Sequence, residues 1–142
     1  MTSGIDTSDW QEFRTPKYSF RFPRSYVLQP DRSVDSAVDE WSTADGRTLT
    51  SDYGFYNGPF RPGLRRLDFV ECQFGGNREP QIVTFRTGEG VGAGLYWVVP
   101  GGRTNDAMGG VSPLALWVGA ESPRAEHLSE LLAIVRSVRL QQ

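Results

Sequence analysis

A β-hairpin is encoded by residues 36–56, which read Ser-Ala-Val-Asp-Glu-Trp-Ser-Thr-Ala-Asp-Gly-Arg-Thr-Leu-Thr-Ser-Asp-Tyr-Gly-Phe-Tyr. Asp45-Gly46 divides this stretch into two strand-like arms, and the dipeptide supplies the positive φ angles of a two-residue type I′ turn. Apolar and polar residues alternate along the second arm, as in a half-buried strand. The two sets are Leu49, Tyr53 and Phe55 on one face and Thr48, Thr50 and Asp52 on the other.

Other segments of the chain show the same period of two. Tyr18, Phe20 and Phe22 alternate with polar residues, and Pro23 ends this strand because proline has no N–H to donate to a neighbouring strand. Apolar segments of similar length predict further strands. These lie at residues 67–74, 81–86, 91–99 and 114–118.

The strand at residues 91–99 has two distinct halves. Its second half, Leu95-Tyr-Trp-Val-Val99, is apolar at every position, which predicts a central strand covered on both faces. Its first half contains Gly92 and Gly94, and glycine inside a strand marks either a bulge or the close packing of another group. The glycine-rich stretch at residues 100–112 predicts a long mobile loop.

One helix is predicted near the C-terminus. Ser122 and Pro123 suit its first turn, because serine caps free N–H groups and proline is tolerated at the first helical position. An apolar stripe with helical spacing follows, at Leu128, Leu131, Leu132 and Val135. Residues 137–140 predict a last short strand after the helix.

Together these elements indicate an α+β fold: a mostly antiparallel β-sheet packed by a C-terminal amphipathic helix. The chain has 142 residues, which fits a single domain. We place this domain at residues 10–142, after a flexible polar tail at residues 1–9. A chain of this length buries enough surface to fold without a metal ion or a disulfide.

The composition excludes some classes of partner and compartment. The net charge is −2 and no basic stripe is present, so a nucleic-acid partner is not expected. No run approaches the roughly 20 apolar residues that span a bilayer, and the start of the chain lacks the apolar stretch of a signal peptide. The sequence as given predicts a cytoplasmic protein, or a periplasmic one if an export signal has been removed.

The order of the elements resembles a known fold family. An aromatic strand that ends in proline, Tyr18-Ser-Phe-Arg-Phe-Pro23, is followed by Ser25-Tyr26, and a β-meander later leads to a capped helix and to Ile134-Val-Arg-Ser-Val-Arg-Leu140. This order is similar to the PsbP-like α/β/α sandwiches, named for an extrinsic photosystem subunit. The resemblance covers roughly residues 10–140. It implies an accessory, assembly or adaptor role, which in some bacterial relatives is that of a chaperone for secreted effectors.

No catalytic residue, metal ligand or cofactor site is predicted. His127 is the only histidine and Cys72 the only cysteine, whereas a zinc site needs three or four suitable ligands. Asp39 and Glu40 are neighbours in a strand and so point to opposite faces. No glycine-rich phosphate loop is present. The sequence therefore favours a protein that is not an enzyme and has no cofactor.

The segment at residues 51–66 has the make-up of a protein-binding surface. Aromatic residues on a Gly/Pro loop beside arginines are typical of interface anchors, although the aromatics also suit a core. The candidate partner-binding residues are Tyr53, Tyr56, Phe60, Arg61, Arg65 and Arg66. We expect a protein-binding or adaptor module of a bacterial assembly or secretion system, whose partner is another protein.

Two other functions stay open at this point. A small apolar ligand would bind between sheet and helix, in a pocket lined by Trp41, Trp97 and Trp117. A hydrolase would require a cleft that joins His127 to a serine or an aspartate. The two alternatives make different demands on the fold, since one needs convergent tryptophans and the other a polar cleft.

Overall fold

The computed structural model describes residues 5–30, 37–54, 58, 60, 68–73, 80–105 and 111–141. The strands in these ranges are β1 (Gln11–Arg14), β2 (Tyr18–Phe22), β3 (Val27–Leu28), β4 (Ala37–Ser42), β5 (Thr48–Gly54), β6 (Asp68–Gln73), β7 (Gln81–Thr87), β8 (Gly90–Asn105), β9 (Val111–Ser122) and β10 (Arg139–Leu140). A 3₁₀ turn at Ala125–His127 leads into the helix α1 (Leu128–Arg136).

The strands form two antiparallel sheets. The large sheet has seven strands in the order β3-β4-β5-β9-β8-β7-β6, and the small sheet has three in the order β1-β2-β10. The helix α1 and the small sheet both pack against one face of the large sheet, which we call the helix face. We call the opposite face the distal face. The arrangement confirms the predicted α+β class, with mostly antiparallel sheet and one C-terminal helix.

The main hydrophobic core lies between the helix face of the large sheet and the layer formed by α1 and the small sheet. Phe20 and Phe22 of the small sheet meet Trp41 of the large sheet, with ring centroids 5.5 and 5.2 Å apart. The helix contributes Leu131 and Ile134, which are fully buried. Because adjacent residues of a strand point to opposite faces, only every second residue of the large sheet contributes to this core.

A polar cluster ties α1 to the hairpin formed by β4 and β5. Arg47 Nη1 donates to both carboxylate oxygens of Glu130, at 2.9 and 2.8 Å, and the Tyr26 hydroxyl donates to the same carboxylate at 2.9 Å. The Arg47 guanidinium also lies 5.6 Å from the centroid of the Tyr26 ring. Burial and the charge of Glu130 raise the pKa of the Tyr26 hydroxyl far above its usual range.

The β4–β5 hairpin is confirmed, but its turn is not the predicted type. The Thr43 N–H donates to the Arg47 carbonyl at 3.0 Å, and the Gly46 N–H donates to the Thr43 carbonyl at 3.3 Å. Gly46 has a φ of 91°, the left-handed conformation that ends a three-residue hairpin loop. The prediction of a two-residue type I′ turn is therefore wrong, while the need for glycine at position 46 is confirmed.

The predicted mobile loop at residues 100–112 is in large part a continuation of β8 and β9. Arg103 pairs with Pro113, and Asn105 pairs with Val111. An irregularity in register between Val98 and Arg103 absorbs the Pro-Gly-Gly sequence that suggested a loop. Pairing resumes beyond it, so glycine and proline here interrupt a strand without ending it.

The helix begins later than the sequence predicts. Ser122 still pairs with Val91 at the end of β9, and its Oγ accepts a hydrogen bond from the Arg124 N–H at 3.1 Å. Serine therefore stabilises the turn before the 3₁₀ segment, and Pro123 precedes the helix. The apolar stripe is confirmed, because Leu131 and Val135 are buried and Leu128 and Leu132 pack against the core. The last short strand is confirmed as β10.

The packed part of the chain begins before the predicted domain boundary. Trp10 is buried, and Ile5, inside the predicted tail at residues 1–9, packs against the main core. Among the described residues, no helix combines the length and the apolar character that crossing a membrane requires. The resemblance to the PsbP-like proteins stays a prediction.

Candidate binding surface

The distal face of the large sheet has a partly exposed apolar centre. Tyr96 of β8 lies directly opposite Trp117 of β9, and both side chains are partly buried. Val98, two residues further along β8, points to the same face and is 36% exposed. These three residues lie side by side on the two innermost strands of this part of the sheet.

A second, smaller core supports this centre. Phe60, Val83 and Phe85 are buried in it, and Tyr96 and Trp117 pack against them. Three of the rings form a stacked row, with Phe60 between Phe85 and Trp117. The centroid separations are 5.9 Å for Phe85–Phe60 and 5.2 Å for Phe60–Trp117, with interplanar angles of 25° and 20°. Trp117 is the end of this row nearest to β5.

Glycines make room for the stacked row. A Cβ atom added at Gly92, Gly94 or Gly119 would lie within 3.0 Å of a ring atom, which real Cβ atoms do not tolerate. The three glycines face the rings of Phe85, Phe60 and Trp117 respectively. The register of β8 is regular through Gly92 and Gly94. Close packing, and not a bulge, therefore explains these two glycines.

Gln81 holds the backbone of Phe60 in place. The Phe60 N–H donates to Gln81 Oε1 at 2.9 Å, and Gln81 Nε2 donates to the Phe60 carbonyl at 3.1 Å. Both residues are buried, so each of these polar groups needs its partner. A side chain of the sheet thus fixes the residue at the middle of the stacked row.

Three exposed glutamates border the apolar centre. Glu40 pairs across the sheet with Thr50 and Glu121 pairs with Thr48, which places both carboxylates on the distal face. The third, Glu89, lies in the turn between β7 and β8. Burial and the nearby charge of Glu89 raise the pKa of the Glu121 carboxyl. The edge of the distal face is therefore acidic.

The predicted partner-binding residues do not form one surface. Tyr53 lies on the helix face, where its ring stacks on Tyr18 with a centroid separation of 5.7 Å. Phe60 lies on the distal face and is only 7% exposed, so its ring belongs to the second core. The expectation that Tyr53 and Phe60 act together as exposed anchors is corrected, because the sheet lies between them. The remaining candidates, Tyr56, Arg61, Arg65 and Arg66, lie outside the described residues.

The three predicted pocket tryptophans are likewise separated. Trp41 is buried in the main core, and Trp97 packs against the same core on the helix face. Trp117 packs against the second core on the distal face. Tyr96 lies opposite Trp117 and shares its face of the sheet, so Trp97, the next residue of β8, must point to the other face. A single pocket lined by all three tryptophans is therefore excluded.

His127 contacts a serine beside a polar cleft. Its Nδ1 lies 2.7 Å from Ser122 Oγ. Ser122 helps to line a cleft of about 230 Å³, together with Gly46, Thr48, Thr87, Glu89, Glu121 and Pro123. In the part of the chain that the structure describes, this cleft included, no three histidine, cysteine or acidic side chains are grouped to hold a metal ion.

Sequence reasoning missed the Tyr96–Trp117 pair. The run Leu95 to Val99 is apolar throughout, so it gave no sign that one of its faces is only partly covered. The signal that was available is the glycine at positions 92, 94 and 119, since glycines at alternating positions of neighbouring strands leave space for large rings.

No protein-family model, curated protein or solved structure matches this chain.

Proposed function

We propose that the protein is a non-enzymatic module that binds another protein on its distal face. One observation carries the proposal: Tyr96 and Trp117 lie opposite each other, partly exposed, at the centre of a sheet surface. Tyrosine and tryptophan supply most of the large energetic contributions at protein interfaces, because they bury much area at a small entropy loss. Val98 extends the apolar area next to them.

The support beneath this pair suits a binding surface. Trp117 is stacked on Phe60, and Phe60 is held by two hydrogen bonds to Gln81. Side chains that are already fixed lose little conformational freedom when a partner docks, so more of the contact energy appears as affinity. An adaptor or accessory role in an assembly or secretion system agrees with the resemblance to the PsbP-like proteins.

The test is a pair of matched charge insertions at exposed apolar residues. Val98→Asp places a carboxylate in the apolar centre, whereas Leu28→Asp places one on β3, where Leu28 is 53% exposed. We expect wild type and Leu28→Asp to capture the same protein from a host extract, and Val98→Asp to lose it by at least about tenfold. Quantitative mass spectrometry of the captured material gives the comparison.

Three results would contradict the proposal. They are equal capture by Val98→Asp and wild type, equal loss in both variants, and no protein enriched over a blank surface. Far-ultraviolet circular dichroism of each variant shows whether the fold is intact before capture is scored.

A second candidate function, a hydrolase, is favoured by the contact between Ser122 and His127. A serine becomes a nucleophile when a base accepts its proton, and Ser122 Oγ lies 2.7 Å from His127 Nδ1 beside the cleft. The same Oγ already accepts the Arg124 N–H, and Ser122 is only 4% exposed, which makes a role in the turn the simpler one.

An activated ester tests the hydrolase directly. Hydrolysis of p-nitrophenyl acetate by this pair would be lost in both Ser122→Ala and His127→Gln, and it would leave an acetyl group on Ser122 that mass spectrometry detects. If the protein is a binding module without this activity, the wild type and both variants should hydrolyse the ester at the same rate.

A further inference from the structure

We infer that the partner segment held on the distal face carries arginine or lysine side chains, an inference that rests on the proposed function. It concerns the chemistry of the partner, which the exposed aromatic pair alone does not specify. Three features of the described residues support it: the pairing of the glutamates, the position of Trp117 and the carboxylates of the cleft.

The glutamates on the two sides of the large sheet differ in their pairing. Three glutamates carried by β1, the 3₁₀ turn and α1 each contact an arginine. These pairs are Arg14–Glu12, Arg124–Glu126 and Arg47–Glu130. Glu40, Glu89 and Glu121, which border the distal face, form no ion pair with any of the described residues. The three glutamates at the distal face therefore carry charge that no described arginine or lysine neutralises.

Trp117 lies on the same face of the sheet as Glu40 and Glu121. It is the end of the stacked row and is partly exposed. An arginine or lysine side chain placed over an indole ring is attracted by the ring's electron-rich face, and tryptophan is the strongest of the aromatic residues in this role. Arginine also pairs with carboxylates through two parallel hydrogen bonds.

The cleft at the acidic edge suits the end of a basic side chain. Glu89 and Glu121 both line it, together with the hydroxyl-bearing Thr48 and Thr87. Burial and the repulsion between the two carboxylates disfavour the charged form of Glu121, and a guanidinium or ammonium group placed between them offsets that repulsion. The volume, about 230 Å³, accommodates the end of one side chain.

Short synthetic peptides test the inference without knowledge of the partner. The probes are a peptide of alternating arginine and glycine and its counterpart with glutamate in place of arginine, titrated by calorimetry at low and at physiological ionic strength. We expect the arginine peptide alone to bind, with an affinity that falls severalfold as salt is added. We expect Glu40→Gln combined with Glu121→Gln to weaken it by about fivefold.

The matched control combines Glu12→Gln with Glu126→Gln, which removes the same amount of charge from two glutamates that already pair with arginines. This control should bind the arginine peptide as wild type does. Absence of arginine-peptide binding, equal binding of both peptides, or equal weakening by the two double variants overturns the inference.

The two proposals fail separately. If Val98→Asp abolishes partner capture and the peptides overturn the basic segment, the distal face binds a protein of other chemistry. If Val98→Asp leaves capture unchanged, the proposed function falls whatever the peptides show.

Discussion

The helix face and the distal face of the large sheet are made by alternate residues of the same strands, yet they are packed in different ways. On the helix face, α1 and the small sheet bury Leu49, Leu116 and Val118 completely. On the distal face a few aromatic rings lie over glycines, and Tyr96 and Trp117 stay partly exposed. The comparison indicates that close packing is concentrated on the helix face, whereas the distal face keeps aromatic side chains partly exposed.

The difference in packing between the two faces follows from the types of residue on each face. On the helix face, large and small apolar side chains pack closely against the second layer formed by α1 and the small sheet. On the distal face, Gly94 and Gly119 are direct neighbours across β8 and β9, and rings occupy the space that side chains would fill. A row of rings over glycine presents aromatic groups at the surface without a loss of packing beneath them.

The largest expected effect comes from opening the core behind the helix face. Phe20 is fully buried, so Phe20→Ala should lower the free energy of unfolding by about 3–5 kcal/mol. Val98→Ala, on the distal face, should change it by less than about 0.5 kcal/mol. Urea denaturation measures both variants, and losses of similar size would remove the contrast between the faces.

A smaller effect is expected from filling the glycine row. In Gly94→Ala the new Cβ lies within 3.0 Å of the Phe60 ring, so the ring or the strand beneath it must move and the stacked row is disturbed. We expect the free energy of unfolding to fall by about 2 kcal/mol and the near-ultraviolet circular dichroism spectrum to change. Gly88→Ala is the control, because nothing lies within 4 Å of its added Cβ. An unchanged Gly94→Ala protein would show that the rings are not held by the glycines.

Alkaline pH tests the hydrogen bond between Tyr18 and Ser51 in the main core. The Tyr18 hydroxyl oxygen lies 3.0 Å from Ser51 Oγ, and burial raises the pKa of this hydroxyl to about 12, from an ordinary value of 10.0. The folded state therefore keeps this proton more tightly than the unfolded state. The resulting stability is complete below pH 10 and is lost as the pH rises towards 12.

Tyr18→Phe removes this titrating group, so the comparison with wild type isolates the contribution of Tyr18 to the pH dependence of the free energy of unfolding. We expect the wild type to lose about 1–2 kcal/mol more than the variant between these two pH values. The free energy of unfolding measured across the range provides the test. Parallel pH profiles for the two proteins would mean that Tyr18 titrates alike in the folded and unfolded states.

The smallest effect is expected at the acidic edge of the distal face. The pKa of Glu121 is raised, so its stabilising contribution is present at low pH and is lost as the pH rises through the folded-state pKa. Glu121→Gln should therefore raise the stability at neutral pH by a few tenths of a kcal/mol, and the gain should vanish in acid. Thermal unfolding at both pH values tests this, with Glu126→Gln as the paired-surface control. A gain that persists in acid would rule out relief of charge repulsion.

Local patterns were sufficient to predict most of the strands and the helical stripe. Tyr18, Phe20 and Phe22 alternate, and a period of two is a property of the strand itself. The predictions are wrong where contacts with other strands, and not the local sequence, determine the structure. Ser122 has the properties of a helix cap, but pairing with Val91 keeps it in β9.

The candidate binding surface depends on contacts between distant parts of the chain, which no short segment of sequence reveals. Whether Tyr96 or Trp97 is covered is decided by where α1 and the small sheet dock, and that contact joins distant parts of the chain. Phe60 was predicted to be an exposed anchor because of its loop composition, but the glycine at position 94 receives its ring. Candidate residues chosen by composition therefore divided between the two cores.

Hydroxyl-radical footprinting of the protein, alone and with the partner captured by the wild type, tests the central claim most directly. In the free protein we predict greater oxidation of Tyr96 and Trp117 than of Trp41, which is 4% exposed. Addition of the partner should protect Tyr96 and Trp117 and leave Leu128 and Leu132 on α1 unchanged. Protection confined to α1, with Tyr96 and Trp117 still oxidised, would contradict the account.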